Sequence, residues 1–102
     1  MAIRMHRSSG NVFEDAGFPR PEADRLLIRS ELMSRIEKLI NKRRLTQKQA
    51  AKTLGVTQPR ISDLVRGRID LFSIDTLVDM LGQLGIAVTL KTREIRGRRR
   101  VA

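Results

Sequence analysis

The composition of this 102-residue chain excludes several classes of protein. It has no cysteine, so a disulfide framework and a cysteine-based metal site are excluded, and no run approaches the roughly 20 apolar residues of a membrane span. The length suits one domain with a modest core, and the net charge of +10 favours a polyanionic partner. Arg4 and Arg7 precede no hydrophobic segment, so we expect a cytoplasmic protein without a secretory signal.

Residues 1–21 are predicted to form an N-terminal arm and lead-in. In residues 1–10 apolar and polar residues alternate, so the arm is either a short strand or flexible. Phe13 and Phe18 are expected to dock on the core, and a docking surface for a partner protein is the functional alternative for the lead-in. The single histidine, His6, has no companion ligands and is expected to be solvated.

Residues 22–43 are predicted to form the first long helix of a domain that spans residues 22–92. Apolar side chains recur at helical spacing and are expected to face the core: Ile28, Leu32, Ile36, Leu39 and Ile40. The helix ends in a cluster of cations, which suits a helix C-terminus and equally suits the DNA backbone: Lys42, Arg43 and Arg44.

A helix-turn-helix is predicted over Thr46–Arg68. Thr46 is a good N-cap for the first helix, and Gly55 ends that helix because glycine adopts positive φ without a Cβ clash. Thr57 is expected to cap the second helix, in which Pro59 is tolerated because it falls in the first turn. The inner face of the two helices is predicted to be Ala50, Ala51, Leu54, Ile61, Leu64 and Val65.

The segment after this motif contains a further helix, a strand and a tail. Ser73 caps a helix with an apolar stripe, and residues 86–92 then alternate with the period of a strand. A single strand needs a partner, which is the N-terminal arm, a second copy of the chain or another protein; we favour a homodimer. Residues 93–102 are expected to be a basic flexible tail, either a solvated terminus or a source of nonspecific phosphate attraction. The predicted fold is therefore all-α, a compact four-helix orthogonal bundle with a short C-terminal β-strand.

The positive charge is concentrated in the helix-turn-helix. Residues 38–68 contain nine Lys or Arg and one Asp, a sum of +8, whereas residues 1–37 sum to zero, residues 69–92 to −2 and residues 93–102 to +4. A basic block that coincides with a groove-binding motif is the footprint expected for phosphate contact. The plainer alternative is that these cations are solvated surface residues.

The stretch LTQKQAAKTLGVTQPRISDLVRGR resembles the Cro and phage-repressor type of helix-turn-helix, the XRE family. With the preceding SSGNVFEDAGF, the Leu-, Ile- and Arg-rich helix and the later apolar strand, the whole chain resembles the HigA-type antitoxins. This resemblance implies a second role, which is to bind and silence a cognate toxin, a small ribonuclease that cleaves mRNA on the ribosome.

The resemblance also implies which residues contact double-stranded DNA. Gln47 would contact a phosphate, Arg66 and Arg68 would hold phosphates, and the second helix would present its outward residues to the major groove. Glutamine pairs with adenine and arginine with guanine. Pro59 offers only apolar contact, and Asp63 either accepts from cytosine or orients a neighbouring arginine. The expected DNA-binding residues are Gln47, Thr57, Gln58, Pro59, Arg60, Asp63, Arg66 and Arg68.

The sequence therefore predicts a DNA-binding repressor, with an antitoxin role added by the resemblance. A free-standing phage- or plasmid-type repressor is the alternative, and an RNA-binding protein is a more distant one because the chain lacks Tyr and Trp and its three Phe are expected to be buried. No catalytic, metal or cofactor site is expected, since the carboxylates are scattered and no glycine-rich phosphate loop follows a strand.

Overall fold

The computed structural model describes residues 10–95. This part of the chain contains the helices α1 (Val12–Asp15), α2 (Arg20–Lys42), α3 (Gln47–Leu54), α4 (Gln58–Val65) and α5 (Ile74–Gln83), with a 3₁₀ helix (Ile69–Leu71) before α5. Most of the N-terminal arm, which was expected to be either a short strand or flexible, and most of the basic tail lie outside the described residues. None of the described helices has the length and apolar character needed to cross a bilayer.

Part of the N-terminal lead-in forms helix α1, which contacts α2 through hydrogen bonds and ion pairs. The Asn11 side chain, 2% exposed, accepts from the amides of Phe13 and Glu14 and donates to Asp24 Oδ1 at 3.2 Å. Arg20 Nη2 lies 3.0 Å from Glu14 Oε1, and its Nη1 lies 3.4 Å from Asp24 Oδ1. These contacts hold α1 on the start of α2 by charge and hydrogen bonding, because no residue of α1 is buried.

Helix α2 begins two residues earlier than predicted and ends one residue earlier. Pro21 occupies its first turn, where a missing amide hydrogen costs nothing. Ile28, which was expected in the core, is 37% exposed. The buried residues of α2 are Ala23, Met33, Ile36, Leu39 and Ile40.

The turn after α2 is made by Arg44, whose backbone conformation the sequence did not predict. Arg44 has φ of 57°, the left-handed conformation that usually favours glycine. This turn allows the amide of Leu45 to donate to the Ile40 carbonyl at 3.1 Å, which closes the end of α2. The preceding Arg43 donates from Nη2 to the Leu84 carbonyl at 2.9 Å and so links the C-terminal ends of α2 and α5.

One core joins α2, α3, α4 and α5. Its largest fully buried side chains are contributed by all of these except α3, together with the residue after the 3₁₀ helix: Phe72, Ile36, Ile61, Leu64, Leu77, Met80 and Leu81. Helix α3 contributes smaller side chains, so it can lie close to its neighbours. The helix-turn-helix is therefore an integral part of the domain, held between the long α2 and the C-terminal α5. The predicted orthogonal arrangement of these four helices stays a prediction, and α1 adds a fifth helix to them.

The prediction of a C-terminal strand is wrong for the described residues, which contain no strand. The amide of Ile86 donates to the Leu81 carbonyl at 2.9 Å and completes the end of α5, and Ile86 packs against the core. The chain then continues without regular structure to Ile95, with Val88 42% and Leu90 85% exposed. Alternation alone does not make a strand, because its backbone groups need a neighbouring strand and residues 10–95 provide none.

Candidate nucleic-acid interface

Helix α3 is stabilised at its start by its own residues. Thr46 Oγ1 accepts from the Gln49 amide at 3.1 Å, and Gln49 Oε1 accepts from the Thr46 amide at 2.9 Å. This reciprocal pair is a capping box, which satisfies two amides that the helix leaves without partners. The expected N-cap at Thr46 is confirmed.

The turn between the two helices depends on Gly55, which has φ of 72° and ψ of 29°. In this left-handed conformation the Gly55 amide donates to Lys52 at 3.3 Å, and the Val56 amide donates to Ala51 at 3.0 Å. Both bonds satisfy carbonyl groups at the end of α3. Val56 packs against the core, as expected for the residue at the corner of the motif.

Helix α4 begins differently, and its predicted side-chain cap is wrong. Thr57 occupies the N-cap position, but its hydroxyl accepts no capping hydrogen bond. The physical reason is that a cap needs a free amide at the second or third residue of the helix. Pro59, the second residue, has no amide hydrogen, and the amide of Arg60, the third, donates to the Thr57 carbonyl at 3.1 Å.

One face of helix α4 packs against the core, and most of the residues predicted to contact DNA are exposed to solvent. Ile61 is 0% and Leu64 1% exposed, whereas Val65 is partly buried against the core. Asp63 and Arg60 are half-buried. The other predicted contact residues are exposed: Gln47, Thr57, Gln58, Pro59, Arg66 and Arg68.

Asp63 makes an ion pair on its own helix. Its Oδ1 lies 3.6 Å from Arg66 Nη2, with 24% of the Asp63 side chain and 62% of the Arg66 side chain exposed. Asp63 was expected either to accept from cytosine or to orient a neighbouring arginine. In the free protein it pairs with an arginine. Arg68 Nε lies 3.8 Å from Asp70 Oδ1, and both side chains of that pair are exposed. Ion pairs at the surface contribute only about 0–1 kcal/mol, so the two exposed arginines can exchange these carboxylates for phosphates at little cost.

Arg60 differs from the other predicted contacts because its guanidinium both donates to a backbone carbonyl and lies over an aromatic ring. Arg60 Nη1 donates to the Leu71 carbonyl at 2.8 Å, and its Cζ lies 4.1 Å from the centroid of the Phe72 ring. A hydrogen bond from a charged donor contributes about 1.5–3 kcal/mol, and a cation–π contact about 0.5–2 kcal/mol. The outward position expected for Arg60 is therefore not the one that it occupies in the free protein.

The remaining cations of the basic block can meet a polyanion, apart from Arg43, whose guanidinium donates to the Leu84 carbonyl. Residues 38–68 contain nine Lys and Arg, of which all but Arg60 are exposed: Lys38, Lys42, Arg43, Arg44, Lys48, Lys52, Arg66 and Arg68. Lys48 and Lys52, for which the sequence predicted no role, both lie on α3 within this block. Ser62, a half-buried residue of α4, lies four residues after Gln58 and therefore on the same helix face.

The comparisons with known proteins agree with this geometry. A family described as a helix-turn-helix domain matches residues 12–93 of the chain. Among solved structures, one named as an XRE family transcriptional regulator superposes with a TM-score of 0.69 at 29% sequence identity, covering 80% of this chain and 92% of that chain. No curated protein matches the chain at a significant level.

Proposed function

The chain belongs to the helix-turn-helix domain family, with a motif of the XRE type, and we propose that it is a sequence-specific repressor that binds an operator in double-stranded DNA. The observation that carries this proposal is the coincidence of two features. The basic block of residues 38–68 contains the helix-turn-helix, and all of its cations except Arg60 are exposed. Phosphate contact requires exposed cations, and base reading requires an exposed helix beside them.

Gln58 is the proposed principal base reader. Its side chain is exposed at the first residue of α4 and makes no hydrogen bond to any described residue. A glutamine free at this position can present its amide to adenine N6 and N7. Thr57 and Pro59 flank it and offer a hydroxyl and an apolar surface. Gln47, at the start of α3, would bind a phosphate through its amide at the positive end of the helix.

We propose that two copies bind two half-sites as a homodimer. Readers of the helix-turn-helix type bind half-sites about 34 Å apart, one turn of DNA. Within the described residues, Val88 and Leu90 are exposed on a segment without a neighbouring strand. The net charge of residues 69–92 is −2, so two copies could approach through this segment without the repulsion that their basic blocks would cause.

Selection from a pool of randomised duplexes, followed by footprinting on the protein's own promoter, tests this proposal. We expect a consensus of two half-sites, and inserting half a helical turn between them should abolish tight binding. Gln58→Ala should cost about 1–3 kcal/mol on the selected site and relax specificity at one position of each half-site. Equal losses on selected and scrambled duplexes would contradict base reading by Gln58.

Two matched controls separate base reading from phosphate contact. Gln83→Ala removes the same exposed side chain at the end of α5, outside the basic block, and should leave binding unchanged. Arg68→Ala should weaken binding to selected and scrambled duplexes alike and reduce the salt dependence. Arg25→Ala removes an exposed arginine from the N-terminal part of the chain, where the charges sum to zero, and should change neither the affinity nor its salt dependence.

We further propose that this repressor is the antitoxin of a toxin–antitoxin pair and neutralises a small ribonuclease that cleaves mRNA, with the pair repressing its own operon. Support comes from the resemblance of the lead-in, the long helix and the motif to HigA-type antitoxins. Co-expression with the product of the adjacent gene is the test. We expect that product to arrest growth alone, to copurify with this chain and to be harmless in its presence. An adjacent gene whose product has no effect on growth would favour the free-standing repressor.

An RNA-binding function is the alternative from another class, and the aromatic residues argue against it. Phe72 is 1% exposed and lies under Arg60. Phe18 was expected to be buried but is 41% exposed, in an edge-to-face contact with Phe13 at 6.3 Å between ring centroids. Two partly exposed rings that contact each other edge to face do not form a stacking platform for successive bases. We propose that the protein is not an enzyme and that it acts in the cytoplasm, where it would meet an operator.

A further inference from the structure

We propose that Arg60 is a positioning residue that fixes the first turn of α4, so that Gln58 rather than Arg60 meets the base edge. This inference rests on the proposed function as a DNA-binding protein. Its basis is the contact between Arg60 Nη1 and the Leu71 carbonyl at 2.8 Å, together with the stacking of the guanidinium on Phe72 at 4.1 Å. The contact joins residues 11 positions apart and so ties the start of the recognition helix to the loop after it.

The first turn of α4 needs such support because its local contacts are weak. The Thr57 hydroxyl makes no capping bond, so no side chain closes the start of this helix as Thr46 and Gln49 close the start of α3. An eight-residue helix is too short to be stable alone and depends on tertiary contacts. Its core anchors, Ile61 and Leu64, lie at the fourth and seventh residues. Arg60 is therefore the third residue of the helix and comes before both of these core anchors.

The position of Arg60 also explains why its charge is satisfied internally. A cation in the first turn of a helix lies at the positive end of the helix dipole, which disfavours it. The Leu71 carbonyl and the negative face of the Phe72 ring both offset this effect. Reading a guanine from the same position would require Arg60 to give up these contacts or to bind through the opposite edge of its guanidinium. Phe72 is itself buried in the core, so the ring on which Arg60 stacks is held in place by its packing.

The experiment compares Arg60→Ala, Arg60→Lys, Phe72→Leu and the Arg60→Ala/Phe72→Leu double variant with the full-length wild type. Each protein is titrated with every single-base-pair variant of the duplex selected by the wild type, at a temperature where circular dichroism shows all of them to be folded. Gln58→Ala serves as the control for loss of a single base contact. Hydrogen exchange of the Arg60 and Ile61 amides, which both donate to the Thr57 carbonyl, gives a second measurement without DNA.

A positioning role predicts a shared pattern. Arg60→Ala and Phe72→Leu should both lower discrimination by roughly 5-fold or more at several base pairs of the half-site, because a misplaced helix loses several contacts. The double variant should lose little more discrimination than the more affected single variant, since both substitutions remove the same contact between Arg60 and Phe72. Both amides should exchange faster. Arg60→Lys should keep wild-type affinity for scrambled DNA and still lose discrimination, because lysine keeps the charge but not the planar stack.

Three results would overturn the inference. If Arg60→Ala loses discrimination at one base pair only and Phe72→Leu leaves it intact, Arg60 is a base reader. If both variants are less stable but keep the wild-type pattern of discrimination, the contact serves the fold alone. Unchanged amide exchange in both variants would show that the first turn does not depend on Arg60. A wild type that selects no consensus contradicts the proposed function itself, and this result is seen before any variant is made.

Discussion

Helices α3 and α4 have the same length, eight residues each, but they begin in different ways. The start of α3 is closed by residues three positions apart, Thr46 and Gln49. The start of α4 lacks a side-chain cap and is held by Arg60, which contacts residues 11 and 12 positions later. The difference suits the proposed roles, because the first side chains of α4, which are proposed to meet bases, are not committed to the amides of their own helix.

The largest effect is expected where the two helices are alike, in the core that they share. Ile61→Ala in α4 and Leu54→Ala in α3 should each lower the free energy of unfolding by about 2–5 kcal/mol, because each leaves a cavity at a site at most 3% exposed. Urea titration followed by circular dichroism measures this. Val88→Ala, at a 42% exposed site, is the control and should change stability little. A small loss for Ile61→Ala alone would show that α4 does not share the core of α3.

The two N-cap threonines test the comparison directly. Thr46→Ala should lower the free energy of unfolding by about 0.5–2 kcal/mol, since the capping box loses the bond to the Gln49 amide. Thr57→Ala should leave it within about 0.5 kcal/mol, because the Thr57 hydroxyl makes no such bond. Equal losses in thermal or urea unfolding would mean that α4 is capped as α3 is.

The same distinction between local and distant contacts explains what the sequence could predict. The helix-turn-helix, its cap at Thr46, its turn at Gly55 and its buried face all follow from spacings of a few residues. The failed cap at Thr57 was also local, but it required counting which amides Pro59 and Arg60 leave free. The engagement of Arg60 with Phe72 depends on how the loop folds back, and no local spacing specifies that. The strand over residues 86–92 failed for a related reason, because pairing depends on a partner that the pattern does not contain.

A smaller effect is expected at the entry to α3. Arg44 has φ of 57°, whereas the corresponding exit from α3 uses glycine at Gly55. Arg44→Gly should raise the free energy of unfolding by up to about 1 kcal/mol, because relief of the left-handed strain exceeds the added entropy of the unfolded chain. Arg44→Ala keeps Cβ and removes the same charge, so it should give no such gain. If both substitutions change the melting temperature equally, charge rather than conformation determines stability at this position.

The smallest effect on stability is expected on the outer face of α4, where Asp63 pairs with Arg66 at 3.6 Å. Asp63→Asn should change the free energy of unfolding by less than about 0.5 kcal/mol, because the pair is exposed and screened. Removing this carboxylate also removes repulsion toward phosphates, so binding should strengthen on selected and scrambled duplexes alike. Binding titrations on both duplexes measure this, with Asp79→Asn on α5 as the control for an exposed carboxylate outside the basic block. A loss of discrimination at one base pair would instead make Asp63 a reader of cytosine.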